Sequence, residues 1–155
     1  MSSQFLTPEK RRFIDDMAAL LVPWAMPQVA GRLYAYLLLC AEPVSLDDIA
    51  ADLELSKSNA SVTARLLEKH GLAARHSVPG SKRALYGAPN NFAGLIMEKG
   101  NLLGAMGRLL ENSASTVVSG PAAQRLEAMS EFYLTMRNVI ESSVHKLNAA
   151  ATAEA

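Results

Sequence analysis

The chain has 155 residues, half of them apolar, and its 15 Lys/Arg balance its 15 Asp/Glu. This length accommodates one domain with a real core, and the apolar content argues against wholesale disorder. The best candidate for a membrane span, residues 33–41, is nine residues long, far short of the ~20 that a spanning helix needs. Residues 10–12 are basic and no apolar segment of signal-peptide type follows them. A single cysteine excludes an internal disulfide framework. We therefore expect a cytoplasmic protein.

An N-terminal helix is predicted from residue 8 onward. Thr7 is a suitable cap and Pro8 suits the first helical position. Phe13 and Met17 recur at helical spacing on its apolar face. A proline-rich connector ends the helix, so we assign residues 1–28 to a dimerisation helix and its connector.

Residues 44–71 predict two short helices separated by a tight turn. Ser45 opens the first with the pattern Ser-x-x-Asp, which is close to a capping box. Ser56 is a good N-cap for the second helix, and Gly71 is typical of a residue that ends one. A nearly uncharged helix, residues 29–41, precedes them and is predicted to be buried. The pattern favours a helix-turn-helix.

A basic hairpin follows the two helices. Residues 72–78 and 84–86 predict two short strands joined by a turn at 79–81. Residues 56–87 contain six Lys/Arg and one acidic residue, a net charge of +5 that the rest of the chain offsets. A localised positive segment on a neutral protein suits a polyanion better than a small substrate.

Small polar and basic side chains share the exposed face of the second helix of the pair. Serines allow a close approach to base edges, whereas Lys and Arg reach guanine acceptors or phosphates. The hairpin cations can follow the backbone or enter the minor groove. Each charge alone is most simply a solvated residue, but their co-location favours DNA. The candidate DNA-binding residues are Ser56, Lys57, Ser58, Asn59, Ser61 and Arg65 on the helix, and Arg75, His76, Lys82 and Arg83 on the hairpin.

Two further helices are predicted over residues 92–112 and 122–149. The first contains four glycines, which indicate close helix packing, a kink or a soft segment, and the sequence does not decide among these. The second has a heptad seam, which favours a homodimer over packing against the chain's own helices. The predicted dimerisation residues are Phe13, Met17, Leu126, Met129, Tyr133, Met136, Ile140 and Leu147.

Several sequence runs are similar to those of a known family. They lie at 26–33, 35–40, 46–50, 55–61, 65–72 and 78–83, and include Ser-Lys-Ser-Asn at 56–59 and Leu-Leu-Glu-x-x-Gly-Leu at 66–72. In these runs the chain resembles MarR-type regulators of the GbsR-like branch. The resemblance covers about residues 8–112, and the last helix only by architecture.

The resemblance implies a mainly α fold: a winged helix-turn-helix with a small β-hairpin wing, and N- and C-terminal helices that form a dimerisation layer. It implies a transcriptional regulator, often a repressor, that binds a pseudo-palindrome in double-stranded DNA as a homodimer and responds to a small-molecule effector. The expected division is 29–89 for the winged helix, 90–149 for C-terminal dimerisation helices and 150–155 for a disordered tail. The rival hypothesis is a winged-helix module that binds another protein without specific DNA binding.

An effector pocket is a weaker hypothesis. Trp24, Tyr34, Tyr36 and Phe132 could gather into an aromatic cage for a quaternary ammonium. An ordinary aromatic core is the simpler interpretation of the same residues, and we favour it.

Enzymatic and metal chemistry are not indicated by the sequence. The histidines and Cys40 show no ligand spacing, so no metal is expected. There is no glycine-rich phosphate loop and no nucleophile elbow, so we expect neither an enzyme nor a cofactor. Cys40 lies in the most apolar stretch and is predicted to be a buried core thiol rather than a redox sensor.

Overall fold

The computed structural model describes residues 5–154, and the chain divides into one compact unit up to Asn90 and another from Asn91. Within residues 5–154, no helix is both long and apolar enough to cross a membrane. Residues 1–4 of the predicted N-terminal segment and residue 155 of the predicted tail lie outside the described residues.

The first unit is a winged helix-turn-helix preceded by one long helix, as the sequence predicted. The elements are α1 (Pro8–Leu21), α2 (Gln28–Leu39), β1 (Val44–Ser45), α3 (Leu46–Leu53), α4 (Lys57–Lys69), β2 (Ala74–Ser77) and β3 (Ala84–Gly87). A short 3-10 turn, Val22–Trp24, joins α1 to α2 at the proline-rich connector. The three strands form one antiparallel sheet in the order β1-β3-β2.

Helix α1 begins as predicted, because the Thr7 side chain accepts a hydrogen bond from the Lys10 backbone N–H at 3.2 Å. Its buried face is Ile14, Ala18 and Leu21. Phe13 was predicted on this face but is 37% exposed, because it lies at the edge of the buried stripe.

Helix α2 lies at the centre of the first unit. Its side chains Leu33, Tyr36 and Leu37 are almost fully buried. This helix therefore contributes three of the six largest fully buried side chains among the described residues. Gly31 allows α1 to approach closely, since a Cβ at this position would lie 3.0 Å from the Ala18 Cα. The predicted burial of this helix is confirmed. The other three side chains of this fully buried set are Ile14, Ile49 and Leu67.

The second unit is an antiparallel hairpin of two long helices, α5 (Gly94–Thr116) and α6 (Gly120–Glu154). Three glycines of α5 are buried beneath side chains of α6: a Cβ on Gly107 would lie 2.6 Å from the Leu134 Cγ, and one on Gly100 would lie 3.4 Å from the Ile140 Cγ2. Ser130 Oγ also donates a hydrogen bond to the Gly107 carbonyl at 2.8 Å. Of the three interpretations that the sequence left open, the structure selects close helix packing.

The face of α6 that meets α5 includes residues outside the predicted heptad seam. Ser130 and Leu134 lie against Gly107, whereas the seam residue Ile140 lies against Gly100. That the seam forms a homodimer face stays a prediction.

The end of α6 also differs from expectation. We predicted a helix to residue 149 and a disordered tail over 150–155, but α6 continues to Glu154. The segment is rich in alanine, which has the highest helix propensity, and so nothing local ends the helix.

Candidate nucleic-acid interface

The helix-turn-helix is built by local caps at the predicted serines. Ser45 Oγ accepts a hydrogen bond from the Asp48 backbone N–H, and Ser56 Oγ accepts one from the Asn59 N–H, both at 3.1 Å. Between them, Glu54 ends α3 in the left-handed conformation at φ 56°. These contacts fix where α4 starts and which face it presents.

The buried face of helix α4 consists mostly of small side chains. Ala60, Thr63, Ala64 and Leu67 form its buried face. Val62, although apolar, is 67% exposed, because it lies outside this buried stripe. An exposed valine on this helix is a missed candidate for apolar contact with thymine methyl groups.

A concave groove of about 630 Å³ lies between α4 and the wing, the hairpin formed by β2 and β3. It contains most of the charged residues that the sequence singled out. Five cations and two carboxylates line it, a formal net charge of +3. The cations are Lys57, Arg65, Arg75, Lys82 and Arg83, and the carboxylates are Asp47 and Glu68.

Two polar contacts organise the α4 side of the groove. Arg65 Nη2 donates a hydrogen bond to Ser61 Oγ at 2.9 Å, so the two candidate residues act as one polar unit. Lys57 Nζ lies 3.2 Å from Asp47 Oδ1. Sequence reasoning missed Asp47, because it is ten residues from Lys57 on another helix. An exposed pair of this kind is weak, so a phosphate can displace the carboxylate.

The wing places its cations through strand alternation. In β2, Arg75 lines the groove, whereas His76 lies beside Gly87, away from the groove lining. Successive strand residues point to opposite faces, so only one of the two can face α4. At the tip, the Arg83 backbone N–H donates to Ser81 Oγ at 3.0 Å. Gly80 there has φ 74°, a conformation that suits glycine.

The remaining helix candidates lie at the N-terminal end of α4. Ser58 is exposed and its Oγ lies 3.5 Å from that of Ser56. Asn59 Oδ1 accepts a hydrogen bond from Thr63 Oγ1 at 3.3 Å, which orients the amide. Ser56, Ser58 and Asn59 are outside the lining of the groove, whereas Lys57, Ser61 and Arg65 are within it.

A buried polar contact holds α3 on α2. The Tyr36 hydroxyl donates to Asp52 Oδ2 at 2.5 Å. Burial, together with this hydrogen bond, raises the pKa of the Tyr36 phenol, so it stays protonated and acts as a donor. Tyr36 was a candidate for an aromatic effector pocket, but its hydroxyl is engaged by Asp52.

The other aromatic candidates are distributed over both units. Trp24 and the half-buried Tyr34 are in the first unit, and burial raises the Tyr34 pKa. Phe132 is in the second, 63% exposed and edge-on to Tyr133. An aromatic pocket formed by these rings stays the weaker hypothesis.

The predicted dimerisation residues vary in exposure. Met129, Met136 and Leu147 are exposed, whereas Leu126, Tyr133 and Ile140 are half-buried. In the first unit, Met17 is half-buried.

Cys40 is half-buried rather than fully buried, and burial raises the pKa of its thiol. Over residues 5–154, no group of three or more His, Cys, Asp or Glu side chains is arranged to hold a metal ion.

The chain is similar to transcriptional regulators over most of its length. The HTH-type transcriptional regulator MmpR5 of Mycobacterium tuberculosis is 26% identical over 141 residues, covering 88% of this chain and 86% of that protein. The crystal structure of a transcriptional regulator has a TM-score of 0.79 at 25% identity and covers 92% of this chain and 99% of the other. A MepR mutant of S. aureus bound to an oligodeoxyribonucleotide has a TM-score of 0.44 at 18% identity, covering 83% of this chain and 89% of the other. No family model matches the chain.

Proposed function

We propose that the chain is a sequence-specific DNA-binding transcriptional regulator of the MarR type. The observation that carries this proposal is the groove between α4 and the wing, where five cations face two carboxylates on a protein of zero net charge. A concave surface with this charge suits the phosphate backbone of a duplex. The similarity to MmpR5, which is an HTH-type transcriptional regulator, supports the same conclusion.

Within this proposal, the two sides of the groove have different tasks. Helix α4 enters the major groove, where Ser61 and Arg65 contact base edges and the exposed Val62 contacts apolar groups. Arg75, Lys82 and Arg83 hold the sugar-phosphate backbone or the minor groove. Ser56, Lys57, Ser58 and Asn59 bind phosphate at the N-terminus of α4, where backbone N–H groups point outward.

We further propose that the active species is a homodimer, formed through the second unit. Large apolar side chains are exposed at helical spacing on both helices of this unit, and exposed apolar surface of this extent marks an interface. A two-fold dimer presents two winged helices to a pseudo-palindromic operator. We call these positions the apolar stripes: Leu102, Met106 and Leu109 on α5, and Met129, Phe132, Met136 and Val139 on α6.

The finer assignments rest on the sequence resemblance. They are the GbsR-like branch, repression rather than activation, and a small-molecule effector that changes DNA affinity. His76 is proposed as an additional wing contact from its place in the basic hairpin. The dimerisation set of Phe13, Met17 and the α6 seam is proposed from the apolar spacing of the two helices.

The deciding experiment is fluorescence anisotropy of the purified protein on duplexes that tile its own upstream region, at two salt concentrations. We expect one duplex to bind well above scrambled DNA, with an affinity that falls steeply with salt because phosphate binding releases counterions. Binding to a protein partner that survives 0.5 M salt, with no preferred duplex, would instead support the interaction-module hypothesis.

A further inference from the structure

A second cavity, of about 440 Å³, lies in the first unit near the C-terminal end of α2 and is separate from the groove. It combines acidic and apolar walls. Tyr36 and Cys40 line it from the end of α2, and Asp48 and Asp52 line it from α3. Phe5 closes one side and is packed edge-on to Tyr36, with the ring centroids 5.8 Å apart.

The informative group in this cavity is the carboxylate of Asp52. The residue is only 6% exposed. One of its oxygens, Oδ2, accepts the hydrogen bond from Tyr36, but the other, Oδ1, is buried with no hydrogen-bond partner among the described residues. A buried acceptor without a donor is costly, and in native proteins it is usually satisfied by a ligand, ion or water.

The surroundings of Asp52 are negatively charged. Glu42 and Asp48 also line the cavity, so three carboxylates face it. Lys10 is the nearby cation, and its ammonium lies over the Phe5 ring, 3.7 Å from the centroid. Lys10 does not line the cavity, and its single charge leaves the cluster at a net −2. Such a site attracts a cation and repels an anion.

We propose that this cavity binds a small protonated amine carried on an apolar stem. An N–H of the ammonium donates to Asp52 Oδ1, and Asp48 and Glu42 complement its charge. The stem packs on the apolar wall formed by Phe5, Ala41 and Val44, which line the same cavity. The unpartnered oxygen requires a hydrogen-bond donor. The site therefore favours primary or secondary amines over quaternary ammonium ions, which have no N–H.

The single cysteine supplies a built-in reporter. Cys40 lines this cavity, and its Sγ donates to the Tyr36 carbonyl at 3.3 Å. Because Cys40 is the only cysteine in the chain, the rate of thiol alkylation measures the accessibility of this cavity wall. An amine in the cavity covers the thiol and slows that rate.

The test compares four ligands that share a phenyl ring and differ in their polar head, by isothermal titration calorimetry: benzylamine, benzyltrimethylammonium, benzyl alcohol and benzoate. We expect benzylamine to bind about tenfold more tightly than the alcohol or the quaternary ion, since a charge-assisted hydrogen bond to a buried acceptor has roughly this effect. Benzoate is expected not to bind. Equal affinity for benzylamine and benzyl alcohol, or no binding of benzylamine, would overturn the proposal.

Two matched variants each remove one negative charge. Asp52→Asn removes it from the cavity, and Asp16→Asn removes it from a position outside the cavity. Asparagine can still accept the Tyr36 hydrogen bond, so Asp52→Asn keeps the contact that holds α3 on α2. We expect it to weaken benzylamine about tenfold or more, through loss of the ion pair. Asp16→Asn, on the exposed side of α1, is expected to change nothing. Equal weakening by both variants would contradict a specific role for Asp52.

The thiol measurement uses the intact wild-type chain, so it does not depend on the folding of a variant. Iodoacetamide alkylation of Cys40 is followed with and without saturating benzylamine. Protection of Cys40 by benzylamine but not by benzoate supports the site, and no protection at any amine concentration contradicts it. None of these measurements contains DNA, so their failure is separate from a failure of the proposed DNA binding.

Discussion

The two units of this protein use apolar residues in opposite ways. The first unit buries its large side chains, with Leu33, Leu37 and Tyr36 of α2 almost fully enclosed. The second unit buries chiefly glycine and other small residues, and many of its large apolar side chains are exposed. The first unit thus has a core within one chain, whereas the hairpin is held by close backbone approach.

A unit rich in helix is therefore not always stable without further packing partners. A hairpin of two helices has no third layer to cover its outer faces, so its stability depends on helix contact and on what covers those faces. Substitutions in the two units should therefore differ in their effects on stability, DNA binding and self-association.

Removing core volume in the first unit should have the largest effect. Leu33→Ala is expected to lower the free energy of unfolding by about 2–5 kcal/mol, because it leaves a cavity in a closed core. Leu109→Ala, at a position 66% exposed in the hairpin, is expected to cost under about 0.5 kcal/mol in the monomer. Urea denaturation at low protein concentration compares the two. Equal losses would mean that the second unit has a core of its own.

The hairpin should respond instead to added volume at a helix contact. In Gly107→Ala the new Cβ would meet Leu134 at 2.6 Å, so we expect a loss of about 1–3 kcal/mol from overpacking. Gly100→Ala is the matched control, since its Cβ would reach Ile140 at an ordinary 3.4 Å. This variant is expected to gain up to about 1 kcal/mol through helix propensity. The same sign for both variants in thermal unfolding would refute the role of close packing.

Arg65→Ala should change DNA reading without changing the fold of the first unit. We expect a loss of about 1–3 kcal/mol in discrimination between operator and scrambled duplex, because Arg65 is proposed to contact base edges. Anisotropy on both duplexes measures this. Lys69→Ala, an exposed cation on the same helix but outside the groove lining, serves as the control. An equal loss on both duplexes by Arg65→Ala would overturn its base-reading role.

Dimerisation should depend on the apolar stripe of α6. Met136→Lys places a charge in the apolar stripe of α6 and is expected to weaken self-association about tenfold or more, roughly 1.4 kcal/mol. Sedimentation velocity over a dilution series measures the dissociation constant. Ser142→Lys adds the same charge at an exposed position off the stripe and should leave it unchanged. A monomeric wild type at all concentrations would remove the homodimer from the proposal.

The smallest effect is expected from a single phosphate contact in the wing. Lys82→Ala should weaken all duplexes about equally and lower the slope of log affinity against log salt by about one. Titrations at four salt concentrations give this slope. Lys146→Ala, an exposed cation in α6, is the control for net charge. An unchanged slope would place Lys82 away from the DNA.

Local features of the fold were predictable from the sequence. The caps at Thr7, Ser45 and Ser56 are confirmed, and each joins a side chain to a backbone N–H three residues later. The prolines of the connector end α1 as predicted, and the hairpin of the wing is present. The two-residue strand β1 was missed, because its pairing with β3 joins residues about forty positions apart and has no local signal.

The candidate site was predictable in composition but not in orientation. The five cations of the groove were all named from the sequence, since charge is a property of residue type. The exposure of Val62 and the pairing of Asp47 were missed, and the sequence did not separate His76, outside the groove lining, from Arg75, within it. Their positions depend on which helix face is buried, which side of a strand turns inward, and which helix approaches another.

By itself, the sequence determined where helices begin, where positive charge is concentrated and which segments form the helix-turn-helix. These properties depend on residues a few positions apart. Three features follow from long-range packing instead: glycines of α5 lie against α6, Asp47 pairs with Lys57, and a buried Asp52 oxygen has no donor among the described residues. Each of these depends on atoms brought together from distant parts of the chain, and residue type alone does not specify which atoms meet.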